Sequence, residues 1–512
     1  MDEKGKMNIF LDQNGSGITD DTQRFADALA QINAAGGGTI GLRGGTYLIK
    51  SAGNGLTVPS NCNIVGLGGE TTIVLNTDVP YDPDNPAYGG VFVIQGAHDV
   101  KLKGFTIRRM GAILSNLILL DNAHSVTFED LELDGMTALY SGPALCHGIR
   151  YGNNGGQASA VIDVEVNNCK FTGLAFSLYM TNNSTSSIDN FSVSNSLFCE
   201  NYADDCNFNA PNGAITNVRV TNNHFADGLS KSNSGGFAVD FANVQHGSIA
   251  NNTFSNYPYN AVHLEDRTAH VTVTGNVFKD CATTDESVVQ IISGTRFVTI
   301  SGNSFNQEGI EPTGARQSKA AIYIGPGGGT VTPECITINA NMFSLGKSWD
   351  GVSAFSVPHV AIGNNFFKGL DDPATATNIA IDITNGGPVT INGNHCYGMH
   401  TFMPSTTTNF RTPSGSVVGN TIEHCNYGMK LQPTGSCIVM GNYFANCEYS
   451  LFSGSNGVTT ALSAVIALNY AVNCVHSMGV EQSDFWGGDA DTQRYVKNNC
   501  DSSMGTQGFP IS

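Results

Sequence analysis

Short stretches of alternating apolar and polar residues recur along the chain, each closed by an asparagine and then by a large apolar side chain. Val218 to Phe225 reads Val-Arg-Val-Thr-Asn-Asn-His-Phe, Val271 to Phe278 reads Val-Thr-Val-Thr-Gly-Asn-Val-Phe, and Val298 to Phe305 reads Val-Thr-Ile-Ser-Gly-Asn-Ser-Phe. The period of two predicts a half-buried strand, and the Asn or Gly before the marker asparagine predicts a turn that tolerates positive φ. Asn223, Asn252, Asn276, Asn303, Asn341, Asn365, Asn394, Asn420, Asn442 and Asn469 mark the successive copies. A recurrence of about 27 residues signals one structural unit stacked many times. In such a stack each marker amide bonds to the same amide one coil on, and the following Phe turns into a shared apolar interior.

Weaker copies carry the register down through Phe198, Phe171, Leu133 and Ile107, and up to Cys396, Ile422, Phe444 and Ala471. The expected fold is all-β: a single-stranded right-handed parallel β-helix of about fourteen coils. An N-terminal helix is expected to cap its raw strand edge. Thr19 and Asp20 suit a helix start, Phe25, Ala28, Leu29 and Ile32 recur at helical spacing, and Gly36-Gly37-Gly38 stops the helix. Strands are predicted to follow at 39–42 and 46–49. The domain reading is a cap over 1–50, the β-helix over 51–475, and a C-terminal cap or tail over 476–512.

The opening segment carries a family likeness. Gly17-Ile18-Thr19-Asp20-Asp21-Thr22-Gln23, then Phe25, then Gly36-Gly37-Gly38-Thr39-Ile40 and Gly45-Thr46-Tyr47-Leu48-Ile49 resemble the start of the pectate-lyase-like superfamily. That superfamily includes polysaccharide-degrading enzymes and phage tailspike depolymerases. The resemblance implies a carbohydrate-active β-helix, an extracellular or virion-associated setting with a cytoplasmic one left open, and a homotrimeric assembly.

Charged residues are only 13% of the chain and glycine numbers 60, which suits tightly turned β-coils. The net charge of −19 argues against a nucleic-acid or anionic-membrane partner, because counterion release needs clustered Lys and Arg. No apolar run is long enough to span a membrane, and residues 1–7 lack the apolar core of a signal peptide. Cys281, Cys425, Cys447 and Cys474 each stand three residues after the core position of their coil, so they read as buried thiols, with disulfides or a metal as the alternative. No C-x-x-C pair supports zinc, and neither metal nor cofactor is expected.

Candidate chemistry lies on the strand about ten residues before each marker strand, where alternation is expected to turn every second side chain outward. The outward set comprises Arg150, Tyr179, Thr181, Asp205, Asn207, Asn209, Asp240, His263, Glu265, Gln290, Tyr323, Asp382 and Lys430. Asp205, Asp240 and Glu265 would then stand on three successive coils, flanked by Tyr179 and Tyr323. Glycosidic cleavage needs one carboxyl to protonate the leaving oxygen and another to act as base or nucleophile. Adjacent coils, about 5 Å apart, suit a retaining or transferring enzyme; coils two apart suit an inverting one.

These three acids are therefore the catalytic candidates, with Glu265 as acid and Asp240 or Asp205 as base or nucleophile. His263, Arg267, Asn207, Tyr179, Gln290 and Tyr323 are candidates to hold a poly- or oligosaccharide. Asp204-Asp205-Cys206 also resembles the paired aspartates of polygalacturonase-like hydrolases, although no Gly-His-Gly or Arg-Ile-Lys segment follows. Three alternatives stay open. One is a lyase or epimerase acting on a uronate glycan, with His263 as base and Arg267 or Lys231 as cation. The others are an intramolecular fructosyl transferase and a non-catalytic glycan-binding spike.

Overall fold

Alternating sequences become strands here because each coil buries one face of every strand against the same interior. The computed structural model describes the chain outside residues 1–6, 12–15, 51–54, 76–89, 111–114, 137–145, 153–158, 182–185, 211, 230–235, 285–286, 310–319, 385, 405–414, 432–436, 454–463, 476–478, 481–492, 497–498 and 501–512. Lys231 and most of the C-terminal segment lie outside the described residues, as does the Lys430 side chain. The chain divides into two compact units, residues 1–258 and 259–512. Both are right-handed parallel β-solenoids, and together they make about 14 turns.

Strands pair in parallel with their counterparts from the next coil, in three sheets in the first unit; the second unit adds a fourth, of Thr401–Met403, Tyr427–Leu431, Tyr449–Ser453 and Gly479–Val480. One sheet of the first unit holds Cys146–Tyr151, Phe176–Thr181, Cys206–Asn209 and Val239–Ala242 in that order. The second unit carries the corresponding run Val262–Glu265, Val289–Ile291, Ala320–Ile324, Asp350–Phe355 and Ile381–Thr384.

The marker asparagines form the expected ladders. In the first unit Asn223 donates its backbone N–H (2.9 Å) and its Nδ2 (3.1 Å) to Asn252 Oδ1. In the second unit the same pair of bonds links Asn276 to Asn303, Asn303 to Asn341, and so on to Asn469. These amides are buried, so each must be paired to be tolerated. The preceding residue takes positive φ in both units, as at Asn222 (57°), Asn251 (56°) and Gly302 (64°).

Stacking also orders the core. Phe171, Phe198, Phe225 and Phe254 lie ring on ring at 4.7, 4.6 and 4.9 Å in the first unit. Phe278, Phe305, Phe343 and Phe367 repeat the stack at 4.7, 4.8 and 4.6 Å in the second. Such pairs add about 0.5–1.5 kcal/mol each beyond their burial.

The expected helix spans Thr22–Ala34 and buries Phe25, Ala28, Leu29 and Ile32. Phe25 meets Tyr47 at 5.7 Å and Phe92 at 6.2 Å, which seats the helix on the interior of the first coils. Its start differs in detail from the sequence reading. Asp21 is the capping residue, yet its side chain accepts from Leu48 N–H (3.1 Å) and pairs with Arg24 (2.8 Å) instead of capping the helix.

Candidate functional site

The site-bearing sheet of the first unit does not alternate strictly. Each coil enters it through a bend where two consecutive residues face the interior: Ser177 and Leu178, Asp205 and Cys206, Ala238 and Val239 are all fully buried. A Cβ added to Gly148 would meet the core side chains of Leu174 and Phe171, so Gly148 and Ile149 follow the same rule. The outward positions are consequently three residues apart, at His147 and Arg150, Phe176 and Tyr179, Asp204 and Asn207, Phe237 and Asp240. Parallel register lines them into two rows, with Arg150 opposite Tyr179, and Asn207 opposite both Tyr179 and Asp240.

This bend corrects the expected placement of Asp205. Its side chain points into the solenoid, with no exposed surface, and accepts from Ser177 Oγ (2.6 Å), Asn201 Nδ2 (2.6 Å) and the Tyr257 hydroxyl. Burial pushes its carboxyl up to about 6, opposed by the bonds from Ser177, Tyr257 and Asn201. Tyr257 is itself buried, and its ring occupies space left by Gly228, where a Cβ would come within 2.8 Å of the ring.

The neighbouring Asp204 takes the outer position instead. Its Oδ1 accepts from the backbone N–H groups of Gly236 (2.6 Å) and Phe237 (3.0 Å), and its Oδ2 from Asn207 Nδ2 (2.8 Å). The same Asn207 nitrogen donates to Asp240 Oδ2 at 3.0 Å, while Asn207 Oδ1 accepts from Thr181 Oγ1 at 3.2 Å. Both hydrogens of the amide and its oxygen are thus engaged within the protein, and Asn207 fixes Asp240 relative to Asp204. Asn207 and Asp240 are only 5% and 3% exposed, so this network is sheltered although it faces outward.

Beside it stands an aromatic cluster. Tyr179 stacks on His147 at 5.1 Å and leans on Phe176 at 4.5 Å, and the Arg150 guanidinium lies 5.4 Å from the Tyr179 ring centre. Tyr179, Phe176 and Arg150 are half-buried, whereas His147 is enclosed and bonds Asn116 Oδ1 through Nδ1 at 2.8 Å. Burial, with the Arg150 charge, holds His147 down at about 3, so its imidazole is neutral. His147, Phe176 and Tyr257 were not among the residues expected from sequence, and Asp204 stood there only as part of the paired aspartates, with no place in the outward set.

The second unit has its own outward row. His263, Gln290, Tyr323, Ser353 and Asp382 are aligned by register from strand to strand. His263 is 5% exposed, and Glu265 follows it two residues on with the inward Leu264 between them. Tyr323 lays its hydroxyl over Gly325, where a Cβ would collide with it. Arg267 falls outside this row, on an exposed turn at φ 69°. Burial raises the Asp382 carboxyl to about 6. Another part of the first unit has a polar groove of about 710 Å³ bordered by Lys101, Asp163, Glu165 and Arg219, with none of the expected site residues.

No protein-family model matches the sequence, and no curated protein matches it. Solved structures with a similar backbone include the A-module of a mannuronan C-5 epimerase, AlgE6, from Azotobacter vinelandii. It is 14% identical, with 96% of this chain and 99% of that one covered and a TM-score of 0.43. DFA-IIIase from Arthrobacter chlorophenolicus A6, without its lid, is 12% identical over 76% of this chain and 98% of its own, at a TM-score of 0.45. The tailspike of E. coli bacteriophage HK620, in complex with a pentasaccharide, is 15% identical over 91% and 77%, at 0.41. These likenesses are of backbone architecture.

Proposed function

We propose that the protein is a glycan-active enzyme that cleaves glycosidic bonds on the outer face of the first unit. The observation that carries this reading is the pair of outer rows joining an aromatic platform to a sheltered carboxylate network. A pyranose ring offers an apolar C–H face and a rim of hydroxyls, which match Tyr179 and Phe176 beside the Arg150 donors. Asp240, held by Asn207, is the carboxylate assigned to the reacting bond as base or nucleophile. Asp204 is tied down by three N–H donors and serves as the anchor of Asn207. Glu265 lies in the second unit, and Glu265→Gln tests separately whether it takes part in the reaction.

Incubation with a panel of neutral and acidic polysaccharides, followed by size-exclusion chromatography, tests the reading. The wild-type protein is expected to shorten one class of chain. Asp240→Asn should lower the rate by roughly 10²–10⁴-fold, the usual worth of a general acid or base. Full activity in Asp240→Asn would remove Asp240 from the mechanism. Products absorbing in the near ultraviolet would mark a lyase in place of a hydrolase. Retention of a glycan without shortening would mark a binding spike.

A further inference from the structure

Four buried thiols form a continuous line in the second unit. Cys396 occupies the core position paired with Phe367 and Ile422, and its Sγ lies 3.6 Å from Cys425 Sγ. Cys425 in turn meets the thiol of Cys447, and Cys447 meets that of Cys474. Cys425, Cys447 and Cys474 sit at one position of three successive coils: Glu448 N–H bonds to Cys425 O at 3.2 Å, and Val475 N–H to Cys447 O at 3.0 Å. All four are at most 3% exposed. One buried Cys is an ordinary small hydrophobe, but four in mutual contact also satisfy the geometry of a cross-link. Equivalent positions in adjacent coils, such as Cys447 and Cys474, stand about 4.8 Å apart, inside the usual Cα separation of a disulfide, roughly 4.4–6.8 Å; Cys396 pairs in register with Ile422, and its link to Cys425 rests on the 3.6 Å sulfur contact.

We propose that this thiol line is an oxidation site that closes into two disulfides between coils, Cys396 with Cys425 and Cys447 with Cys474. A line of four pairs completely only in this way, because a central Cys425–Cys447 bond strands both outer thiols. The oxidant is a small disulfide such as oxidised glutathione. A thiolate attacks it, forming a mixed disulfide and releasing one glutathione thiol; the neighbouring cysteine then displaces the second. Each staple breaks two S–H bonds and forms one S–S bond, and the two electrons and two protons leave with the two glutathione thiols. Burial holds Cys425 well above the usual thiol range, and its bond to Cys425 with burial pushes Cys447 up to about 12. The attacking thiolate therefore forms when the coils open locally, which makes the reaction slow in the native protein and faster in mild denaturant.

The test is incubation of the whole protein with oxidised glutathione at mildly alkaline pH, with and without dilute urea. Free thiols are then alkylated and the peptides mapped without reduction. The expected result is two cross-linked peptide pairs, 396 with 425 and 447 with 474, no retained glutathione on these residues, and a higher melting temperature than the reduced protein. In Cys396→Ala/Cys425→Ala the 447–474 bond should still form. In Cys425→Ala/Cys447→Ala neither remaining cysteine should cross-link to the other. The inference is overturned if the four wild-type thiols stay alkylatable in urea with oxidant, if they keep glutathione, or if mapping finds 425–447 or random pairing. The wild-type arm decides the matter even if a variant does not fold.

Discussion

Asp205 makes the first unit's stability depend on pH in a direction opposite to that of most carboxylates. Its carboxyl titrates at about 6 when folded, because burial outweighs the bonds from Ser177, Tyr257 and Asn201, against 3.8 as its ordinary value. The native state therefore holds a proton that the unfolded chain has already released between these two values. Asp205's contribution is fully present below about pH 4 and is lost as pH rises through 6. A rise of about two on the pH scale corresponds to roughly 3 kcal/mol. The side chain has no exposed surface, so no solvent screening discounts the figure.

Asp205→Asn removes the titration while nearly preserving shape. The new amide keeps an acceptor by placing its oxygen at the Oδ1 position, towards Ser177 and Asn201, and turns its NH2 to the Tyr257 hydroxyl; the cost of that exchange is a constant offset at every pH. The informative quantity is the melting temperature of the variant minus that of wild type, followed from pH 4 to pH 8; other titrating groups cancel in the difference. It should rise by about 6–12 °C, taking roughly 2–4 °C per kcal/mol for a unit of this size, climbing between about pH 4 and pH 6 and levelling off above that. A difference that stays flat across this range, or that falls as pH rises, would refute the buried, proton-holding environment.

Other expectations follow from single contacts. Gly228→Ala should cost about 1–3 kcal/mol by driving a methyl into the Tyr257 ring, read as a lower melting temperature; an unchanged value would show that the ring is not held there. Asn303→Ala should destabilise the second unit by at least about 2 kcal/mol in denaturant titration, because two donors of Asn276 lose their acceptor inside the ladder. Tyr179→Ala should raise KM for a glycan substrate more than it lowers kcat, since it removes platform and leaves Asp240 tied to Asn207. In a histidine-resolved NMR titration His147 should show no step between pH 5 and 8.

Much of the architecture was legible because a solenoid repeats its demands. Every coil needs an amide at the same turn and a large apolar group beside it, so the Asn and Phe columns stand out from a single sequence. The site was less legible for one local reason. Strict alternation was carried through the bend, which put Asp205 on the outer face in place of Asp204 and hid His147 from view. The corrective signal was present as a doublet before each outward residue: Ala238-Val239 before Asp240, Ala261-Val262 before His263 and Val288-Val289 before Gln290, all buried. Aligned on that doublet, Asp205-Cys206 is the inward pair and Asn207 the residue equivalent to Asp240. The Tyr257 contact had no comparable signal, since its ring is admitted by the absence of a side chain at Gly228.

The doublet also explains why two consecutive aspartates have opposite surroundings. Asp204 anchors Asn207 outside, and Asp205 is gripped by Ser177, Asn201 and Tyr257 inside, so one peptide unit is held from both faces of the sheet. Rotation of the bend moves both side chains together. Loosening the interior cluster therefore shifts the anchor that aims Asn207 at Asp240. Tyr257→Phe separates the two effects: it removes one interior bond while leaving every outer hydrogen bond chemically intact. If the bend transmits position, this variant should weaken both stability and glycan turnover, with the loss in kcat. If Asp204 is held by Gly236 and Phe237 alone, turnover should stay at the wild-type value while stability falls.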